Sequence, residues 1–235
     1  NSLFEGYEES FEDPLHGIDN FTWSNPLVKD TDGDGLNDFD EVNGTYGYVT
    51  DPSNYDTDGD GIDDKWEVDY DINPRDPEDA DEDYDNDGHD YDLNGQIQGT
   101  ERFTNYNEYL NGTDPRNPDT DGDGIFDGWE AYYGYQASLI WEVCIERNET
   151  NPEYQKNKER CISPLDSRDA SWDADNDGYD SDGESEGQGN GEISTEEKYT
   201  NLEEYLNNTN PSNPDTDGDG CPDGWEVFWE GWRLE

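Results

Sequence analysis

Methionine is absent from the 235-residue sequence, cysteine occurs three times and histidine twice, and 12 Lys and Arg face 65 Asp and Glu, a net charge of −53. The aliphatic and phenylalanine side chains that build ordinary cores are scarce too: Leu, Ile, Val and Phe number 33, about 14% of the chain. That fraction, with so large a net charge, belongs to chains that stay disordered unless something other than apolar burial holds them. Nucleic acid and anionic lipid are polyanions and make poor partners. No apolar run approaches the ~18–20 residues of a membrane span; the longest, Ala137 to Ile145, is interrupted by Glu142. Three cysteines and two scattered histidines give no ligand cluster for zinc or copper. A start at Asn1 without methionine suggests a mature product whose signal peptide has been removed.

What is present is aspartate in one register. Asp30, Asp32, Asp34, Asp38 and Glu41 occupy positions 1, 3, 5, 9 and 12 of a loop with Gly35 at position 6. The pattern returns as Asp56, Asp58, Asp60, Asp64 and Glu67, then as Asp119, Asp121, Asp123, Asp127 and Glu130, and again as Asp215, Asp217, Asp219, Asp223 and Glu226. Each of these short units opens Asp-Thr-Asp-Gly-Asp-Gly, and position 7 holds Leu36, Ile62, Ile125 or Cys221.

A longer unit alternates with them. Asp83, Asp85 and Asp87 begin one that restarts as Asp90, Asp92, Asn94, Gln96 and Glu101 and runs on to Glu108. Asp173, Asp175 and Asp177 begin the other, followed by Asp180, Asp182, Asn190, Glu192, Glu197 and Glu204. The chain therefore reads as a repeat array: an acidic, aromatic leader 1–29, a short repeat 30–55, a module 56–118, a second module 119–214 with an insertion at about 131–162, and a terminal short repeat 215–235. Joints rich in Pro and Asn separate them.

The spacing is that of calcium chemistry. Calcium takes six to eight oxygens at about 2.3–2.6 Å, and a tight loop aims positions 1, 3 and 5 at one point. Glycine at 6 lets the backbone reverse, the position-7 carbonyl faces the ion, and a glutamate at 12 closes the shell. Two carboxylates about 4 Å apart repel by about 1 kcal/mol even in water. Three converging acids cost about 3 kcal/mol per loop, so six loops approach the whole ~5–15 kcal/mol stability of a domain. Without cations the loops should open. Asp at 9 with Glu at 12 also reads as a helix cap, so position 9 is open between cap and ligand.

The short units resemble thrombospondin type 3 calcium repeats of microbial surface proteins, and the 30–48 stretch is also similar to the calcium module of bacterial binary-toxin binding components. The resemblance covers about two thirds of the chain. It implies an irregular, calcium-stabilised array of DxDxDG loops and short helices, with little β-sheet and no large hydrophobic core. It also implies paired ions sharing acids 3, 5 and 12, a later aspartate completing the second; Asp51 and Asp114, each before proline, are the candidates. Two features depart from relatives of this kind: three cysteines cannot make a disulfide ladder, and Pro26, Pro118 and Pro214 argue against the entering helix of an EF-hand. About five to ten calcium ions are expected.

The remaining signals are local. Cys144 and Cys161 flank the insertion and are expected to pair, leaving Cys221 over. Asn20, Asn43, Asn111, Asn148 and Asn207 lie in glycosylation sequons, with a left-handed helix cap as the structural alternative at Asn111 and Asn207. Trp66, Trp129 and Trp225 at position 11 are expected to plug small cores. His16 and His89 read as surface residues, and no Gly-x-Ser-x-Gly, His-Glu-x-x-His or phosphate loop suggests catalysis. The expectation is an extracellular or cell-surface structural protein, self-associating into a filament or layer. A calcium-scaffolded adhesion module for glycan or protein is the alternative.

Overall fold

The structure, a computed structural model, describes residues 24–136, 152, 161–179 and 197–233. The leader aromatics, His16, Cys144, Asn20, Asn148, Asp180, Asp182, Asn190, Glu192 and most of the insertion lie outside the described residues. The chain divides into two units, Asn1–Ala80 and Asp81–Glu235.

Among the described residues there is no strand, and the helices are short: α1 Asp38–Asn43, α2 Asp64–Asp69, α3 Asn105–Asn111, α4 Asp127–Gln136, α5 Asn201–Asn207 and α6 Asp223–Arg233. The low-sheet, irregular character that the resemblance implied is what the described residues have. Four of these helices start at position 9 of a DxDxDG loop, and one bond closes each loop there. Asp38 N donates to Lys29 O at 3.0 Å, and Asp64, Asp127 and Asp223 donate likewise to Tyr55, Pro118 and Pro214 at 3.0–3.1 Å. A carbonyl, and no entering helix, precedes the loop, as the prolines required.

Inside each loop the first aspartate ties down the turn. Asp30 accepts from Gly33 N and Gly35 N, and Asp119 from Gly122 N and Gly124 N. Those glycines stand at φ +88, +107, +81 and +101, left-handed values that a side chain resists. The alternation Asp-Gly-Asp-Gly is thus a backbone requirement as much as a chemical one.

Elsewhere the helices follow their caps. Thr104 and Thr200 accept from the amides of Asn107 and Glu203, and the Glu203 carboxylate accepts in return from Thr200 N, a reciprocal capping box. The left-handed residues that end α3 and α5 are Gly112 and Asn208, one position after the sequon asparagines. Asn43, Asn111 and Asn207 instead close the last helical turn, each donating Nδ2 to the carbonyl four residues back, at 2.7–2.8 Å.

The interior is unusual in kind. Among the described residues the largest fully buried side chains are Ile62, Ile72 and Ile125 together with Glu41, Glu67, Glu108, Glu130 and Glu204, followed by Asn105, Asn201 and Thr50. In the second unit Ile125, Trp129, Ile162, Ala170 and Ala174 form a small apolar cluster, with Tyr133, Leu202 and Tyr205 against it. Trp129 is the plug expected at position 11; Trp225, at the same position, is 39% exposed. His89 departs from its expected surface place. It is buried among Tyr91, Trp129, Tyr132 and Tyr133, its Nε2 3.3 Å from the Tyr133 hydroxyl, and burial pushes its pKa down to about 4.

Two glycines at position 10 let a loop approach the long unit before it. Gly128 N donates to Asp87 Oδ2 at 3.0 Å and Gly224 N to Asp177 Oδ2 at 3.1 Å. A Cβ on Gly128 would lie 2.5 Å from Asp87 O and 2.9 Å from Phe103 Cβ. Gly128→Ala should therefore cost about 3 kcal/mol by overpacking. Thermal unfolding of the variant checks this, and an unshifted midpoint would show that the approach is not tight.

Candidate metal centres

The acids of each loop converge. Asp30, Asp32 and Asp34 place one oxygen each within 4.8 Å of one another, as do Asp56, Asp58 and Asp60, and Asp83, Asp85 and Asp87. In every short loop one oxygen of position 5 accepts the amide of position 7, as Asp34 does from Leu36 and Asp123 from Ile125. At positions 3 and 5 alike, Oδ2 is buried without a hydrogen-bond partner in Asp32, Asp34, Asp58, Asp121 and Asp123. At position 7, Leu36, Ile62 and Ile125 are buried, whereas Cys221 is partly exposed.

A second kind of cluster joins successive loops. Asp34 and Glu41 meet Asp64, and Asp60 and Glu67 meet Asp79, again within 4.8 Å. Glu108 lies in the field of Asp85, Asp87 and Asp127, Glu130 in that of Asp169, Asp123 and Asp121, and Glu204 in that of Asp175, Asp177 and Asp223. In the first two clusters a glutamate meets an aspartate supplied by the segment that follows, and in the other three such an aspartate acts electrostatically on the glutamate. Glu67 and Glu130 are 0% exposed and neither oxygen of either has a hydrogen-bond partner.

These groups cannot be comfortable as bare anions. Burial first, and then the neighbouring carboxylates, push Glu67, Glu108 and Glu204 up to about 10 and Glu41 up to about 8. Glu130 and Asp169 rise for the same two reasons. Arg102 and Lys198 act on Asp83 and Asp173, at the openings of the two long units. The ion pairs among the described residues, Lys65–Asp69 and Arg168–Asp166, stand outside the clusters. Orphaned, buried, hard oxygen acceptors at this density fit a metal ion, and the all-oxygen donor set fits a hard divalent cation.

The following aspartates are of two sorts. Position 9 is one. Thr57 donates its amide and hydroxyl to the two oxygens of Asp64 at 2.8 and 2.7 Å, and Thr31, Thr120 and Thr216 hold Asp38, Asp127 and Asp223 in the same way. The amide cap of α2 comes from Asp63 instead. Asp64, so held, stands with Asp34 and Glu41 of the loop before its own, a role the sequence reading did not find. The invariant Thr at position 2 was its signal.

Asp79 and Asp169 are the other sort, and the sequence reading missed them. Their signal was a pair of matching segments, Ile72-Asn-Pro-Arg-Asp-Pro-Glu-Asp79-Ala80 and Ile162-Ser-Pro-Leu-Asp-Ser-Arg-Asp169-Ala170. In both, the acid accepts the amide after the isoleucine, from Asn73 at 3.0 Å and Ser163 at 2.7 Å.

The other predicted ligands have local roles. Asp51 and Asp114 accept the amides of Ser53 and Arg116 in the turns before the next loop, and Asp114 also acts on Asp85. Asp90 takes the amides of Asn94 and Gly95. Both oxygens of Glu101 take backbone amides, from Asp92 and Gln98. Gln96 lies in the exposed turn of that segment, and Glu197 accepts Tyr179 N through its carbonyl. Cys161 is disulfide-bonded and Cys221 is a free thiol. No helix is long and apolar enough to cross a membrane, among the described residues.

No family model, no curated protein and no solved structure matches the chain.

Proposed function

We propose that this is an extracellular calcium-binding structural protein, a thrombospondin type 3-like repeat array made rigid by about five to ten ions and serving as a cell-surface, filament or layer subunit rather than as an enzyme. The observation that carries the reading is the set of buried glutamates with orphaned oxygens, above all Glu67, Glu130 and Glu204. Calcium suits them better than magnesium. Six to eight oxygens from protein fill its shell, whereas magnesium keeps several waters. Ions of this kind do the work of a core, tying each loop to the segment after it.

The test is isothermal titration calorimetry with calcium and with magnesium, on the wild type and on Glu130→Gln. The variant should bind fewer calcium ions and lose about 3 kcal/mol of stability in calcium, since a charged partner is removed from a buried ionic cluster. Equal stoichiometry and equal melting in the variant would remove Glu130 from the ligand set. No heat with calcium in the wild type would remove the reading itself.

The adhesion alternative has one observation in its favour. A cavity of about 390 Å³ is lined by Tyr91, Tyr132, Arg102 and Asn107 among others, aromatic and amide groups of the kind that hold a sugar. Quenching of tryptophan fluorescence by simple sugars, through Trp129 beside His89, tests it.

A further inference from the structure

The long units keep the register of the short ones. In the short loop at 56 the position-9 residue, Asp64, donates its amide to Tyr55 O just before the loop, and Glu67 follows three residues on. In the long unit at 173 the residue that does this is Asn201, whose amide donates to Trp172 O at 2.7 Å, with Glu204 three residues on. Asn105 donates to Glu82 O at 2.7 Å and precedes Glu108 in the same way. Asn201 therefore holds position 9 of its unit, set farther along the sequence by the residues inserted after Gly178.

Asp64 serves the loop before its own, and Asn201 stands where that role requires. Asp64 meets Asp34 and Glu41, and the next residue, Lys65, lies over Gly35, 3.5 Å from where a Cβ would stand. In the second unit Leu202, the residue after Asn201, lies over Gly124, the position-6 glycine of the loop at 119, also at 3.5 Å. Asn201 itself is 0% exposed, and its Nδ2 donates at 2.8 Å to the carbonyl of Asp169, the aspartate that acts most on Glu130. A carbonyl only accepts, so the amide nitrogen is the atom that faces it and Oδ1 is left over. Asn201 Oδ1 is buried without a hydrogen-bond partner, a condition it shares with both oxygens of Glu130, Oδ2 of Asp121 and Asp123, and Oδ1 of Asp169.

Charge accounts for asparagine in this place. The short units have aspartate at position 9, whereas Asn105 and Asn201 belong to the units preceded by an Ile-x-Pro-x-Asp-x-x-Asp-Ala segment, which brings Asp79 or Asp169. Where that segment already supplies a carboxylate, a neutral amide oxygen adds a ligand without adding to the repulsion among acids. Calcium takes side-chain amide carbonyls among its oxygen ligands.

We infer that Asn201 Oδ1 is a ligand of the divalent cation held by Asp121, Asp123, Glu130 and Asp169. The inference rests on the calcium reading above. One ion then fastens together the loop at 119, the turn Asp169–Ser171 and α5. The same helix carries Glu204, which lies in the field of Asp175 and Asp177, so the ion also steadies the neighbouring cluster.

Equilibrium dialysis against calcium, with bound ions counted per chain, tests this on the wild type, Asn201→Leu, Asn201→Asp, Glu130→Gln and the combination of Asn201→Leu with Glu130→Gln. Leucine has nearly the shape of asparagine and offers neither oxygen nor donor. Aspartate keeps an oxygen and drops the donor to Asp169 O. Asn201→Leu should bind one ion fewer than the wild type, or bind that ion at least tenfold more weakly, and Asn201→Asp should keep the full count. The combined variant should lose the same single ion as Glu130→Gln alone. Equal losses in the leucine and aspartate variants would mean that only the bond to Asp169 O matters, and would overturn the inference. So would a leucine variant that binds as the wild type does, or a combined variant one ion short of Glu130→Gln, which would put Asn201 in another cluster. If Asn201→Leu does not fold, Asn201→Asp decides: a full count supports the ligand and a lost ion overturns it. A wild type that binds no calcium overturns the calcium reading itself, whereas loss confined to these outcomes leaves that reading standing.

Discussion

Transfer from about 2 mM calcium into EDTA at low ionic strength should abolish most of the helical circular dichroism of the chain and most of its cooperative melting. Extracellular calcium modules bind with Kd near 10⁻⁴–10⁻³ M. At the tighter end, about 2 mM calcium stabilises each site by about 1.8 kcal/mol, and five inter-loop clusters by about 9 kcal/mol. That is comparable with the entire net stability of an ordinary domain, ~5–15 kcal/mol. The apolar interior cannot replace it. The second unit's buried cluster consists of Ile125, Trp129, Ile162, Ala170 and Ala174, while Glu130 beside it would be left facing Asp169, Asp123 and Asp121. Magnesium at the same concentration should restore less than calcium. A spectrum unchanged by chelation at low salt would mean that the carboxylate clusters are not what holds the chain, and the proposal for its function would go with them.

Much of this site could be read from residue spacing, because the loop is local. Aspartate at 1, 3 and 5 with glycine at 4 and 6 fixes one turn whatever surrounds it, and the four short loops carry the same internal hydrogen bonds. The burial of position 7 and the capping of α5 are local in the same sense. What spacing could not show was which segment completes which loop. Asp79 lies 12 residues beyond Glu67, but Asp169 lies 39 beyond Glu130, across the insertion. Only packing brings the second into the place of the first. His89 was misjudged for a related reason. A lone histidine in an acidic stretch has no visible partner until Tyr132 and Tyr133, more than 40 residues on, close over it. Of the sequon asparagines, Asn43, Asn111 and Asn207 serve in the structure as helix-end hydrogen-bond donors.

Stability should depend on pH with opposite signs in the presence and absence of metal. Glu67, Glu108 and Glu204 have an ordinary carboxyl value of 4.5 in the open chain and are raised to about 10 in the folded one, by burial and then by neighbouring aspartates. A group raised on folding binds its proton more tightly in the folded state. Its contribution to the metal-free fold is therefore fully present below about 4.5 and is lost progressively as pH rises toward about 10. In EDTA the folded fraction should accordingly be larger at pH 4 than at pH 8, the proton standing in for part of the missing cation. In excess calcium the order reverses, because the same oxygens must shed their protons to bind the ion, and the melting temperature should rise from pH 4 to pH 8. Melting curves at both pH values, with and without chelator, give the four numbers needed. If stability in EDTA climbs between pH 5 and pH 9, the glutamates are not buried against other acids in the metal-free chain, and the clusters form only after the ion arrives.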